Sequence, residues 1–162
     1  MSYDVHMVTE GMAKIRPQPK PKKQIKITDL RKKVWTQFSK YIRLRDNYTC
    51  YTCGKVMLRG DSNCHAGHYV PQSKGNRLRF DERNVHAQCV TCNSFNRGNL
   101  SAYALRLEQD YGHGILQEFD SVRNERKQFT RDELLGMLDH YKGLVDNWDK
   151  IGKVIYYARL EE

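Results

Sequence analysis

The chain has 162 residues, with 28 Lys+Arg against 19 Asp+Glu, a formal charge of +9 and five cysteines. This length suits one domain with an extension, and its apolar runs fall far short of the roughly 20 residues that span a bilayer, which excludes a helical membrane protein. The positive excess favours an anionic polymer as partner, and an N-terminus without an apolar leader, with an odd number of cysteines, points to a cytoplasmic chain whose thiols bind metal or are reactive rather than forming a disulfide framework.

The first 26 residues read as a flexible basic arm. Pro17, Pro19 and Pro21 alternate with Lys20, Lys22 and Lys23, and proline fixes φ while removing donors. Such an arm either touches phosphates or is an inert tail. Thr28 or Asp29 can cap a helix running to about Arg45, with Leu30, Val34, Phe38, Tyr41 and Ile42 at helical spacing. Residues 46–100 are rich in Cys, His, Asn and Gly. They hold strand-like pieces at 64–70 and 77–80, joined by a turn over 71–76. Helices are predicted over 101–111, closed by Gly112, and over 114–126. Thr130 with Glu133 forms a capping box. It opens a helix in which Met137, Tyr141, Leu144, Trp148, Ile151 and Ile155 make a heptad-like seam, which either packs on the molecule's own body or joins two copies. Residues 27–112 thus form the main domain and 113–162 a helical extension. The charge follows this division, at +12 over residues 1–100 and −3 over 101–162.

Cys50 and Cys53 form one CxxC pair, Cys89 and Cys92 another. Two such pairs complete a tetrahedral shell of four thiolates, the coordination that structural zinc prefers. Gly54 follows the first pair, where a knuckle needs a residue tolerant of positive φ. With all four positions filled by protein, the ion would support the fold rather than catalyse. Cys64 is left over and reads as a small buried side chain, in preference to a fifth ligand or a nucleophile.

Between and just after the pairs come His65, His68, Asn84 and Asn93. Together with the segments 38–54, 65–70, 78–93 and 97–103, this series resembles zinc-supported HNH (His-Me finger, ββα-metal) endonucleases. The similarity is closer to the NinG/Rap recombination nucleases of lambdoid phages. The resemblance implies an α+β fold: a zinc-stapled ββα-metal core with an N-terminal basic helix and a C-terminal helical extension. It implies a Mg²⁺- or Mn²⁺-dependent endonuclease cutting branched DNA such as Holliday junctions and D-loops. By position His68 would be the general base, Asn84 the residue orienting it, and Asn93 a ligand of the catalytic metal. Many HNH enzymes carry a metal-binding Asp or His directly before the base, but here Gly67 stands there. His65 shares the strand face of Gly67 and ranks below Asn93 as a candidate ligand, with Asn96 third.

An imidazole can take a proton from water near neutral pH, and a cation can stabilise the charge on the phosphorus centre, so the chemistry is coherent. Lys74, Arg77, Arg79 and Arg97 flank the series as candidate phosphate contacts. His86, at the approach to a helix, reads as packing or hydrogen bonding, and His113 and His140 as ordinary tail residues. Two alternatives stand beside this expectation: a zinc module that binds nucleic acid without cutting, and a general nicking or homing-type HNH nuclease. Resolving a junction needs two cuts, so a homodimer through the 137–155 seam is expected.

Overall fold

The computed structural model describes residues 24–158; the basic arm expected over 1–26 lies, but for its last three residues, outside them. Helix α1 spans Ile27–Arg45. Its stripe of Leu30, Val34, Phe38 and Ile42 is fully buried, as their i, i+4 spacing requires. Thr28 and Asp29 are not its caps. The helix begins earlier, with the Lys26 carbonyl accepting from the amides of Asp29 (3.0 Å) and Leu30 (2.9 Å), and Asp29 instead sits in the first turn, where a carboxylate suits the helix dipole.

The last helix, α4 (Arg131–Ala158), packs along α1. The Thr130–Glu133 capping box forms: the Glu133 amide donates to Thr130 Oγ1 at 3.2 Å, and the Thr130 amide donates to the Glu133 carboxylate at 2.8 Å. Leu134 and Tyr141 are buried against α1, with Met137, Leu138 and Leu144 partly buried beside them. The first half of the seam therefore packs on the molecule itself. Trp148 is exposed, and the side chains of Ile151 and Ile155 lie outside the described residues. Phe38 sits at the centre, edge-on to Phe80 (5.7 Å) and Tyr141 (5.0 Å). Phe38→Ala should cost about 3–5 kcal/mol, read as a lower urea midpoint. An unchanged midpoint would mean that the α1–α4 contact does not carry the fold.

Strands β1 (Cys64–His68) and β2 (Val85–Cys89) form an antiparallel pair, in register from Cys64 opposite Cys89 to His68 opposite Val85. The partner of β1 is thus not the predicted 77–80 piece. In Leu78-Arg79-Phe80 the alternation is real, but the two apolar residues enter different cores from a run of turns. Leu78 joins Tyr103, Leu107, Ile115 and Phe119, whereas Phe80 joins the α1–α4 core. His86 correspondingly lies on β2 and not at the approach to a helix.

After β2 a short π-helical segment, Thr91–Phe95, is closed by the Asn96 amide donating to the Thr91 carbonyl at 2.8 Å. Helix α2 (Leu100–Tyr111) follows, ending at Gly112, whose φ of +89° a side chain would resist. Helix α3 (Ile115–Val122) is shorter than the predicted 114–126. The result is a mixed α+β fold in which α1 packs on both α4 and the two-stranded sheet, and α3 packs on α2. Among the described residues no helix is long and apolar enough to cross a membrane.

Candidate functional site

The four paired cysteines converge. Their sulfurs all lie within 4.8 Å of one another, and Cys53 Sγ is 3.8 Å from Cys89 Sγ. A tetrahedron with Zn–S bonds of about 2.3 Å has edges of about 3.8 Å, so the donor set fits zinc with adjustments of at most about 1 Å. Each pair has its own support. In the first, Gly54 takes φ +74°, its amide reaches the Cys50 carbonyl (2.8 Å), and the Cys50 amide reaches Lys55 (2.8 Å). In the second, Cys89 ends β2 and Cys92 lies in the π-helical segment. The cluster therefore staples the chain leaving α1 to the end of the sheet. Cys64 stays outside the cluster, buried among Leu44, Tyr48 and Met57, where burial pushes its thiol up to about 11. It is the small buried side chain that its sequence context implied.

Alternation along β1 and β2 places His65 and Gly67 on one face with their partners Gln88 and His86, and His68 on the other. On the first face Asn93 meets His65: its Nδ2 donates to His65 Nδ1 at 2.9 Å. A methyl group on Gly67 would overlap Oε1 of Gln88 and come within 2.6 Å of Oδ1 of Asn93, so a side chain there would have to push both amide oxygens aside. Tyr103 Oη donates to the Gly67 carbonyl at 3.0 Å and fixes this end of the strand. Trp35, Lys40 and Arg43 of α1, with Asp61, His65 and Asn93, line an open groove of about 610 Å³.

His68 does not line that groove. Its ring stacks on Trp35, with centroids 5.0 Å apart and planes at 14°. Its Nε2 lies 3.0 Å from the Arg79 carbonyl, which can only accept, so Nε2 carries the hydrogen and Nδ1 keeps the lone pair. Burial pushes its pKa down to about 4, so the imidazole is neutral near pH 7. Asn84 is fully buried and clamps the loop after β1. Its Oδ1 accepts from the Val70 amide (2.8 Å), and its Nδ2 donates to the carbonyls of Val70 (3.2 Å) and Leu78 (3.1 Å). It holds the backbone on both sides of the loop while leaving the His68 side chain untouched.

This chemistry has a pH signature. The unfolded chain binds a proton at His68 below its ordinary pKa of 6.5, while the folded chain resists until about 4. Stability is therefore full above 6.5 and is lost as pH falls from 6.5 towards 4. Between pH 7 and 5 the loss due to His68 should be on the order of 2 kcal/mol. Urea midpoints of wild type and His68→Gln at both pH values check this, and equal losses in the two proteins would refute it.

A family model described as bacteriophage lambda NinG protein matches residues 10–151. The chain belongs to the NinG family. It is 36% identical over 103 residues to protein ninG of Escherichia phage 933W, covering 63% of this chain and 49% of that protein. It is 35% identical over 103 residues to protein ninG of Salmonella phage P22, covering 63% and 49%, and to protein ninG of Escherichia phage lambda, covering 63% and 48%. The chain thus spans about half the length of the curated relatives it matches. No solved structure matches it.

The flanking cations of this NinG-family chain are dispersed. Lys74 and Arg97 are exposed, and Arg97 adopts φ +50° just after the π-helical segment. Arg77 is 3.8 Å from Glu125. Arg79 is more constrained: its guanidinium lies over Trp35 (5.8 Å) and Phe80 (5.4 Å) and donates to Gln72 Oε1. Asn96 is exposed at the end of the π-helical segment, away from the groove-lining residues. His86 is a packing residue, stacked on Tyr51 (3.6 Å) with Nδ1 3.2 Å from Asp46. His113 and His140 are exposed. Sequence reasoning missed two residues of the candidate site. Trp35 lies beside the buried stripe of α1, and nothing in its spacing announces a histidine 33 positions later. Nothing in the local pattern singles out Gln88, and the one signal near it is Gly67, which shares its face of the sheet.

Proposed function

We propose that the chain is a metal-dependent, structure-specific DNA endonuclease of the His-Me finger type, hydrolysing phosphodiester bonds in branched recombination intermediates such as Holliday junctions and D-loops. The observation that carries this reading is the unit formed by β1, β2 and the π-helical segment. It ends one strand on a neutral histidine with a lone pair to spare, and brings an asparagine oxygen against the glycine beside it.

In this reading His68 takes the proton from the attacking water at Nδ1, while the Arg79 carbonyl holds the tautomer. Asn84 keeps the strand end and its loop in place. Asn93, with His65 beside it, would hold Mg²⁺ or Mn²⁺, since an amide oxygen suits such an ion when water and phosphate complete the shell. The bound cation would stabilise the charge on the phosphorus centre and on the leaving 3′ oxygen. Lys74, Arg77, Arg79 and Arg97 would contact phosphates, and a homodimer would supply the two cuts that a junction needs.

The rival reading, a zinc module that binds nucleic acid without cutting, draws on one observation: His68 is stacked against Trp35 and does not line the open groove. A panel of junction, D-loop, flap and linear DNA, each incubated with Mg²⁺ or Mn²⁺, separates the two. The nuclease reading expects cutting that favours branched substrates at equal salt. Binding with every substrate left intact would sink it, and equal cutting of linear duplex would leave only a general nuclease.

A further inference from the structure

Gln88 is the fourth of the five residues of β2, opposite His65, and is fully buried. The orientation of its amide is fixed by chemistry. The Gly98 carbonyl, 2.8 Å away, accepts only from an N–H, so Nε2 points there and towards Thr52 Oγ1 at 3.3 Å. Oε1 is thereby turned to Gly67, and it has no hydrogen-bond partner. Leaving a buried amide oxygen unpaired costs about 1–3 kcal/mol, so such an atom calls for an explanation. Its neighbour supplies one. Oδ1 of Asn93 points at the same place, the volume that a side chain on residue 67 would occupy. Two amide oxygens held by β2 and the π-helical segment thus converge where the strand has only a hydrogen atom to offer.

We propose that Gln88 is a ligand of the divalent cation, delivering from β2 the oxygen that Gly67 cannot deliver from β1. The proposal rests on the nuclease reading above and gives its metal site a second oxygen besides Asn93. Both donors are neutral. The protein alone therefore binds the ion weakly, and the phosphate of the substrate and several waters complete the charge and the shell. The arrangement also explains why residue 67 is glycine: any side chain would displace the two oxygens.

The test is Mn²⁺ titrated into the zinc-loaded full chain, with free ion followed by its electron paramagnetic resonance signal. Gln88→Met keeps the shape and removes the oxygen, together with the Nε2 donor to the Gly98 carbonyl. It should weaken Mn²⁺ binding at least about tenfold, the cost of losing even an outer-shell partner, with zinc content and circular dichroism unchanged. Gln88→Glu adds charge at the same atom and should tighten binding, an effect that damaged packing does not produce. If Gln88→Met loses its zinc, Gln88→Glu alone decides, and an affinity no tighter than wild type overturns the proposal. Wild-type affinity in both variants, while the wild type still cuts DNA with Mn²⁺, removes Gln88 from the site and leaves the nuclease reading standing. No Mn²⁺ uptake by the wild type overturns the proposal, and if that protein also cuts no DNA, the nuclease reading falls with it.

Discussion

His68→Ala is expected to leave a folded, zinc-loaded protein that cuts branched DNA about 10²–10⁴-fold more slowly, the usual contribution of a positioned general base. The loss should fall on kcat with binding of the junction intact, because His68 offers no charge to a phosphate: burial keeps it neutral. Gel-shift and single-turnover cleavage on the same junction separate the two quantities. A companion variant, His65→Ala, makes the result decisive. His65 lines the open groove, whereas His68 stacks on Trp35. If His68→Ala cuts at the wild-type rate while His65→Ala is dead, His68 is not the base, the tautomer fixed by the Arg79 carbonyl has no catalytic part, and the chemistry lies on the face that carries His65 and Asn93. If both variants cut normally, neither imidazole is the base.

Cys92→Ser is expected to have the largest effect on the fold itself. Four thiolates within 4.8 Å of one another make one site, and a zinc ion in such a site contributes on the order of 10 kcal/mol or more to folding. That is comparable with the whole stability of a typical domain, about 5–15 kcal/mol. The variant should lose its equivalent of zinc by atomic absorption and lose the cooperative part of its thermal melt. Cys64→Ser is the control. Its sulfur lies outside the cluster, so zinc should stay bound and the melt should shift only by the cost of a buried hydroxyl. A Cys92→Ser protein that keeps its zinc and melts like wild type would show that the cluster does not hold the ion.

Much of this architecture was legible in the residues. The α1 stripe, the capping box of α4 and the two cysteine pairs each rest on a local rule, whether of spacing, of capping or of ligand count, that tertiary context did not override. The second strand was missed although Val85, His86, Ala87, Gln88 and Cys89 alternate apolar and polar. The pattern is only five residues long, and its polar members His86 and Gln88 are buried like the rest, so it marks no exposed face. Leu78 and Phe80 showed that alternation without forming a strand, because two separate cores lie on either side of their loop. At the candidate site, the sequence offered His65, His68, Asn84 and Asn93 as a series. It could not offer which of them meet. Asn93 bonds to His65, while Trp35, from a helix 33 residues earlier in the chain, covers His68.

The contact between α1 and α4 bears on how far the chain can be divided. Glu82, two residues before Asn84, accepts from Tyr41 of α1 (3.2 Å) and from Tyr141 of α4 (3.1 Å). A fragment that stops before Arg131 would therefore lose one of the two hydroxyls that hold Glu82, and would uncover the α1 surface against which Leu134 and Tyr141 rest. Aromatic and aliphatic side chains so uncovered make a fragment self-associate in water. The helical tail thus serves as a brace for the loop that Asn84 clamps, and a minimal folded fragment cut from this chain would have to keep α4 or replace the buried side of α1 with polar residues.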